Sequence, residues 1–177
     1  MITLYCSNKL QKYIGFKDNQ VEQDKHHPIN SWNGHLFTIN RKKCLFFMNQ
    51  DTYFSFIVYD IKKPDIKHLN ELFITGFIKE LHKFELITIA QETALKNRFT
   101  KVFLHKSINN RKVIGNMNNL IQIIDYHKYN YDNFQDFLSQ DTFLNSYLLK
   151  KEDHYFEAKD AIKDKINQLF THLQIQK

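Results

Sequence analysis

Leu36-Phe37-Thr38-Ile39-Asn40-Arg41-Lys42-Lys43-Cys44-Leu45-Phe46-Phe47-Met48 holds two β-prone runs on either side of a short basic segment. Leu36–Asn40 and Cys44–Met48 are dominated by aromatic, branched and other apolar side chains, which favour strands. Arg41-Lys42-Lys43 between them reads as a tight turn. Asn49-Gln50-Asp51-Thr52 is a second turn signal, and Phe54 to Tyr59 follows as a third strand. Links this short leave only an antiparallel arrangement, because parallel neighbours need a long crossover. Residues 36–59 therefore predict an antiparallel meander.

Working outward, Ile2–Cys6 reads as a short strand, and Ser7 or Asn8 can cap a helix through about Tyr13. Asp18 to Asn30 is polar, contains Pro28 and lacks apolar periodicity, which predicts a loop. After the meander, Pro64-Asp65 opens the clearest helix: Ile66, Leu69, Leu72, Phe73, Phe77 and Leu81 recur at three- and four-residue steps. A second helix is expected from Glu85 to about Lys96, and a strand over Thr100–Leu104. Asn109 or Asn110 can cap a helix reaching Tyr126, with Val113, Met117, Leu120, Ile121 and Ile124 as its buried stripe. A last helix is expected from about Glu157 to Leu173.

These elements predict an α+β fold: a small antiparallel sheet packed against helices 64–82 and 110–126 on one side, with a helical C-terminal extension. The division expected is an α+β unit over 1–125 and the extension over 126–177.

The bulk properties narrow the class. A chain of 177 residues can bury a real core, and 42% hydrophobic residues argue against disorder. Charge is basic, 25 − 19 = +6, with a pI of about 9.2, a balance that suits nucleic acid, an acidic protein or an anionic surface. Cys6 and Cys44, the two cysteines, read as reduced core thiols on adjacent strands. No run approaches the ~20 apolar residues of a membrane span, so a cytoplasmic location is expected.

Three stretches resemble one family pattern in the right order. Ile2-Thr3-Leu4-Tyr5-Cys6-Ser7-Asn8-Lys9-Leu10 is similar to I-x-L-x-C-T-x-K-L-L, and Trp32 to Asn49 is similar to W-x-A-N-L-x-x-I-N-R-R-K-x-V-L-F-x-N. Asn110 to Asn119 is similar to N-R-S-V-L-G-S-M-N-D. The set resembles an uncharacterised bacterial family, also found as the front part of some plasmid pRiA4b ORF-3-like proteins. The resemblance covers roughly residues 1 to 125. It implies a domain of unknown function with ties to plasmids and other mobile elements, phage included. Gly34-His35 stands where the pattern has Ala-Asn, and Lys112 and Asn119 where it has Ser and Asp.

The residues themselves offer two binding candidates. Between Thr93 and Ile124 lie Lys96, Arg98, Lys101, Lys106, Arg111 and Lys112 with no acidic residue; Asn109-Asn110 at a helix start adds free backbone N–H groups, and Asn118 in the same motif joins the binding candidates. Such a segment suits an anion or phosphate; equally it suits a solvated basic face, with Gly115 permitting close helix packing. Arg41, Lys42 and Lys43 on a hairpin can lie on a phosphate backbone, with Trp32 either stacking on a base or packing in the core.

Catalytic readings are thinner. His35, Arg41 and Arg111 could serve a metal-independent nuclease or other phosphate-handling enzyme, with His as acid or base and Arg steadying phosphate. Cys44 or Ser107 beside His35 or His105 would be a nucleophile pair if geometry allowed. No metal-ligand spacing and no glycine-rich phosphate loop occurs, so no cofactor and no metal are expected. The aromatic run Tyr126, Tyr129, Tyr131, Phe134, Phe137, Phe143 and Tyr147 beside Asp132, Asp136 and Asp141 reads as a packing layer or a partner-binding patch. The last helix can pack within the chain or form a homodimer seam. The leading reading is a non-enzymatic binding module for nucleic acid or an acidic protein. The alternatives are the phosphate-handling enzyme and a protein–protein inhibitor or antitoxin-like partner.

Overall fold

The meander forms as expected, but its first turn is tighter than the three basic residues. The computed structural model describes residues 1–16, 27–108, 110–127, 134–140, 142–151 and 153–175. Asn40 and Arg41 alone reverse the chain, with φ of 48° and 62°. Positive φ at both central positions marks the two-residue hairpin whose twist matches its strands. Lys42 and Lys43 consequently become the first two residues of a strand.

In chain order, β1 (Ile2–Cys6) leads to α1 (Asn8–Ile14), and β2 (Ser31–Ile39), β3 (Lys42–Asn49) and β4 (Ser55–Val58) form the meander. Next come α2 (Leu69–Lys83), α3 (Ile89–Arg98), β5 (Val102–Lys106) and α4 (Arg111–His127). The rest holds α5 (Phe134–Gln140), α6 (Phe143–Ser146), the hairpin β6 (Leu148–Lys151) and β7 (His154–Glu157), and α7 (Ala158–Ile175). The fold is α+β with a largely helical C-terminal part, as the sequence predicts; the β6–β7 hairpin there has no forerunner in the sequence reading. Residues 18–26 of the expected 18–30 loop lie outside the described residues, while Pro28–Asn30 makes a 3-10 turn.

The five-stranded sheet has the order β4-β3-β2-β1-β5. β2, β3 and β4 are antiparallel, whereas β1 runs parallel to both β2 and β5. β2 begins at Ser31, five residues before the expected start, because Ser31 to Gly34 pair with Thr3 to Cys6 of β1. Gly34 is not a strand breaker there: a Cβ would lie 2.9 Å from the Leu10 side chain, so its absence lets α1 sit on the strand.

Register sorts the side chains. Leu4, Trp32, Phe47 and Phe56 stand side by side on one face, and Tyr5, Asn33, Met48 and Ser55 on the other. Trp32 is fully buried, edge-on to Phe56, Phe73 and Phe77 at 5.1–5.6 Å, and its Nε1 donates to the Ile29 carbonyl at 2.7 Å. Each such ring pair adds about 0.5–1.5 kcal/mol beyond its buried area. Trp32 is core, not a stacking platform.

Helix α2 covers that face. Helix α4 lies against Tyr5, Asn33 and His35 on the opposite face, so the two helices sandwich the sheet instead of sharing one side. The reason is topological: β4 and β5 sit at opposite edges, and each helix returns over a different face.

Two further expectations shift. Helix α3 starts at Ile89 because Thr88 and Gln91 form a capping box, with Thr88 N–H donating to Gln91 Oε1 at 2.9 Å and Gln91 N–H to Thr88 Oγ1 at 3.3 Å. Cys6 and Cys44 are buried thiols outside any disulfide, but β2 separates their strands and they occupy opposite faces. Phe134 and Phe137 are buried and Phe143 packs against them, so this part of the aromatic run is a packing layer. Tyr126 and Tyr147 are exposed, and Tyr129, Tyr131, Asp132 and Asp141 lie outside the described residues. The apolar stripe of α7, with Ile162, Ile166 and Leu169, is buried within the chain.

Candidate functional site

Parallel strands carry their following loops to one end of a sheet, and where neighbouring loops depart to opposite faces a crevice opens. β1 and β5 are such a pair. The chain leaves β1 into α1 on the Trp32 face, and leaves β5 into α4 on the other. Between them is a cavity of about 280 Å³. Tyr5 lines it from β1, Ser7 and Asn8 from the cap and first residue of α1, and Asn33, Gly34 and His35 from β2. Ser107 closes it from the loop after β5, and Ile114, Met117 and Asn118 from α4.

Local structure fixes these groups. Ser7 caps α1 by accepting the Leu10 N–H, and Asn110 caps α4 by accepting the Val113 N–H at 3.3 Å. Asn109, the other cap candidate, is outside the described residues. Asn33 is 5% exposed; its Oδ1 takes a long bond from Gln50 at 3.5 Å, and its Nδ2 has no hydrogen-bond partner. An unsatisfied buried donor costs about 1–3 kcal/mol, and Asn33 brings such a donor to the crevice wall. Burial, then the ammonium of Lys9, holds the His35 imidazole below the usual histidine range, so it is neutral at pH 7. Burial raises the Tyr5 phenol, which keeps its proton.

The expected site residues divide into three groups. His35 and Asn118 line the crevice, Asn110 begins the helix that forms its wall, and Lys106, Arg111 and Lys112 are exposed at the same end. The hairpin carries Arg41, Lys42 and Lys43 about five residues beyond Gly34 along β2, roughly 17 Å at strand rise. Lys42 is paired with Asp60 at 2.8 Å, and the Lys43 ammonium lies over the Tyr13 ring. His35, Arg41 and Arg111 are thus not gathered at one point; His35 stands a strand length from Arg41. Arg98 and Lys101 sit at the opposite end of the sheet, where the Met1 amino group donates to the Arg98 carbonyl and the Lys101 ammonium covers Phe103. The charge run 96–112 is contiguous only in sequence, because β5 separates its two halves.

Ser107 and His35 line the same crevice, while Cys44 lies two strands from β1, its thiol pushed up to about 11 by burial. Among the described residues no cluster of His, Cys, Asp and Glu could hold a metal ion, and no helix is long and apolar enough to cross a membrane.

Sequence reading missed Asn33, Asn8 and Tyr5 as site residues. The signal was present: each lies inside one of the three quoted motifs, all of which contribute to the lining of this crevice. A family model described as a domain of unknown function, DUF6933, matches residues 3–161. The chain belongs to this family. The match runs past residue 125 through the β6–β7 hairpin and into α7, so the family pattern extends beyond the three motifs. No curated protein and no solved structure matches the chain.

Proposed function

We propose that the chain is a binding module for single-stranded nucleic acid, with its centre at the carboxyl ends of β1 and β5, beside Asn33–His35 of β2. The observation that supports this reading is the convergence of all three motifs on one crevice whose rim is cationic. The Lys9 ammonium acts on His35, and Arg111 lies one turn before Ile114 on the helix that walls the crevice, whereas Lys106 pairs with Cys6 and so belongs to the other face of the sheet. Phosphates would lie on this rim, and the hairpin with Arg41 and Lys43 would extend the track. A cytosolic role on a plasmid, phage or other mobile element suits the resemblance to the front part of plasmid pRiA4b ORF-3-like proteins.

Anisotropy of a labelled single-stranded oligonucleotide tests the reading. Binding should weaken with salt, and Lys9→Ala and Arg111→Ala should each lower the salt slope by about 0.7. Arg98→Ala and Lys101→Ala, at the far end of the sheet, should leave it unchanged. No binding at low salt would sink the proposal. Equal affinity for polyglutamate would assign the surface to an acidic protein instead.

A further inference from the structure

The crevice and its rim differ in a way that specifies the ligand more closely. The rim is cationic, yet no Lys, Arg, Asp or Glu is among the residues that line the cavity. His35 adds no charge there at neutral pH. A phosphate group inside would find no counter-charge, and a cation would find no carboxylate. Uncharged walls select an uncharged group.

The size and chemistry of the walls narrow it further. At about 280 Å³ the cavity falls just under the range of about 300–1,000 Å³ that takes drug-sized ligands, so it fits one small group. Ile114 and Met117 supply apolar surface against which a flat ring can lie. Asn33 Nδ2 is a buried donor without a partner, and Asn8 and Asn118 each carry both a donor and an acceptor. Side-chain amides pair bidentately with the donor–acceptor edges of nucleobases. Proteins that read single strands by sequence splay such bases out of the stack and bond their edges.

We infer that the crevice is a base-reading pocket, which takes one unstacked nucleobase of a strand while the flanking phosphates rest on Lys9 and Arg111. This rests on the strand-binding reading above and adds to it a single-base specificity at a fixed place. Asn33 Nδ2 donates to a ring nitrogen or carbonyl of the base, and Asn118 fixes the edge from the helix side.

The test compares an intact single-stranded DNA oligonucleotide, the same oligonucleotide made entirely abasic, the matching RNA, and free nucleoside monophosphates. The intact strand should bind on the order of tenfold or more tightly than the abasic one, since an engaged base contributes that much. Asn118→Ala, at an exposed helix position that folding does not need, should erase the difference and leave the salt slope unchanged; Asn33→Ala should do the same if it folds. Free monophosphates should compete, weakly, at the same site; saturation by them with no gain from the strand would overturn the strand as the natural source. Equal binding of abasic and intact strands, unaffected by Asn118→Ala, would overturn the base pocket while leaving strand binding intact. Failure of every strand to bind overturns both.

Discussion

The side-chain amide of Asn145 closes on both backbone groups of Ser55: Ser55 N–H donates to Oδ1 and Nδ2 donates to the Ser55 carbonyl, each at 2.8 Å. Ser55 opens the edge strand β4, so the amide stands in for one rung of a missing neighbour and ties the C-terminal part to the sheet. Nδ2 also donates to Glu80 Oε1 at 2.9 Å, and burial raises the Glu80 carboxyl.

Asn145→Ala leaves the Ser55 groups and Glu80 short of partners in a buried place. A loss of about 2–4 kcal/mol is expected in urea unfolding. Asn145→Asp should be worse, because a second carboxylate would face Glu80.

Two glycines should respond with opposite signs. A Cβ at Gly76 would lie 2.8 Å from the Phe56 ring, and Gly76→Ala should cost about 1–3 kcal/mol through overpacking. At Gly115 nothing lies within 4 Å, so this exposed glycine of α4 does not serve close packing. Gly115→Ala should stabilise by about 0.5–1 kcal/mol, read as a rise in Tm.

Arg41 holds a left-handed backbone that costs a side-chain-bearing residue about 1–2 kcal/mol. Arg41→Gly should raise stability by about 1 kcal/mol and weaken strand binding at low salt. Unchanged affinity would remove the hairpin from the proposed track.

His35 gives a pH signature. Its folded pKa lies below the unfolded value of 6.5, so on acidification the unfolded chain takes up the proton first. Its contribution to stability is therefore complete above about pH 6.5 and is lost as pH falls through that value toward the folded pKa. His35→Gln should flatten the dependence of unfolding free energy on pH between about 7 and 5.

Cys44 should be silent to thiol reagents at pH 8 until urea is added. Its folded thiol ionises near 11 and the unfolded one near 9.0, so the unfolded state loses its proton first. Stability should fall as pH rises from about 9, and Cys44→Ala should remove that part of the loss.

The fold was legible wherever the determining forces act over a few residues. β-prone apolar runs and short links placed the 36–59 meander, and the spacing of Val113, Met117, Leu120 and Ile124 placed α4 with its Asn110 cap. Where a pairing spans distant segments, local pattern fell short. Ser31–Gly34 is strand because β1 pairs with it on one side and Phe47–Asn49 of β3 on the other, and the β6–β7 hairpin has too weak a local signal to stand out.

What the sequence by itself determined is the set of secondary elements, the α+β class and the three motifs, since propensity, periodicity and capping are properties of neighbouring residues. What only the tertiary structure decided is how they combine. Placing β1 between β2 and β5 sends α1 and α4 to opposite faces, which opens the crevice and draws Asn8, Asn33 and Asn118 together. The same placement splits the basic run 96–112 across the length of β5. Charge adjacent in sequence becomes charge on one surface only if the chain does not cross the sheet between, and hydrogen-bonded strand pairing decides that.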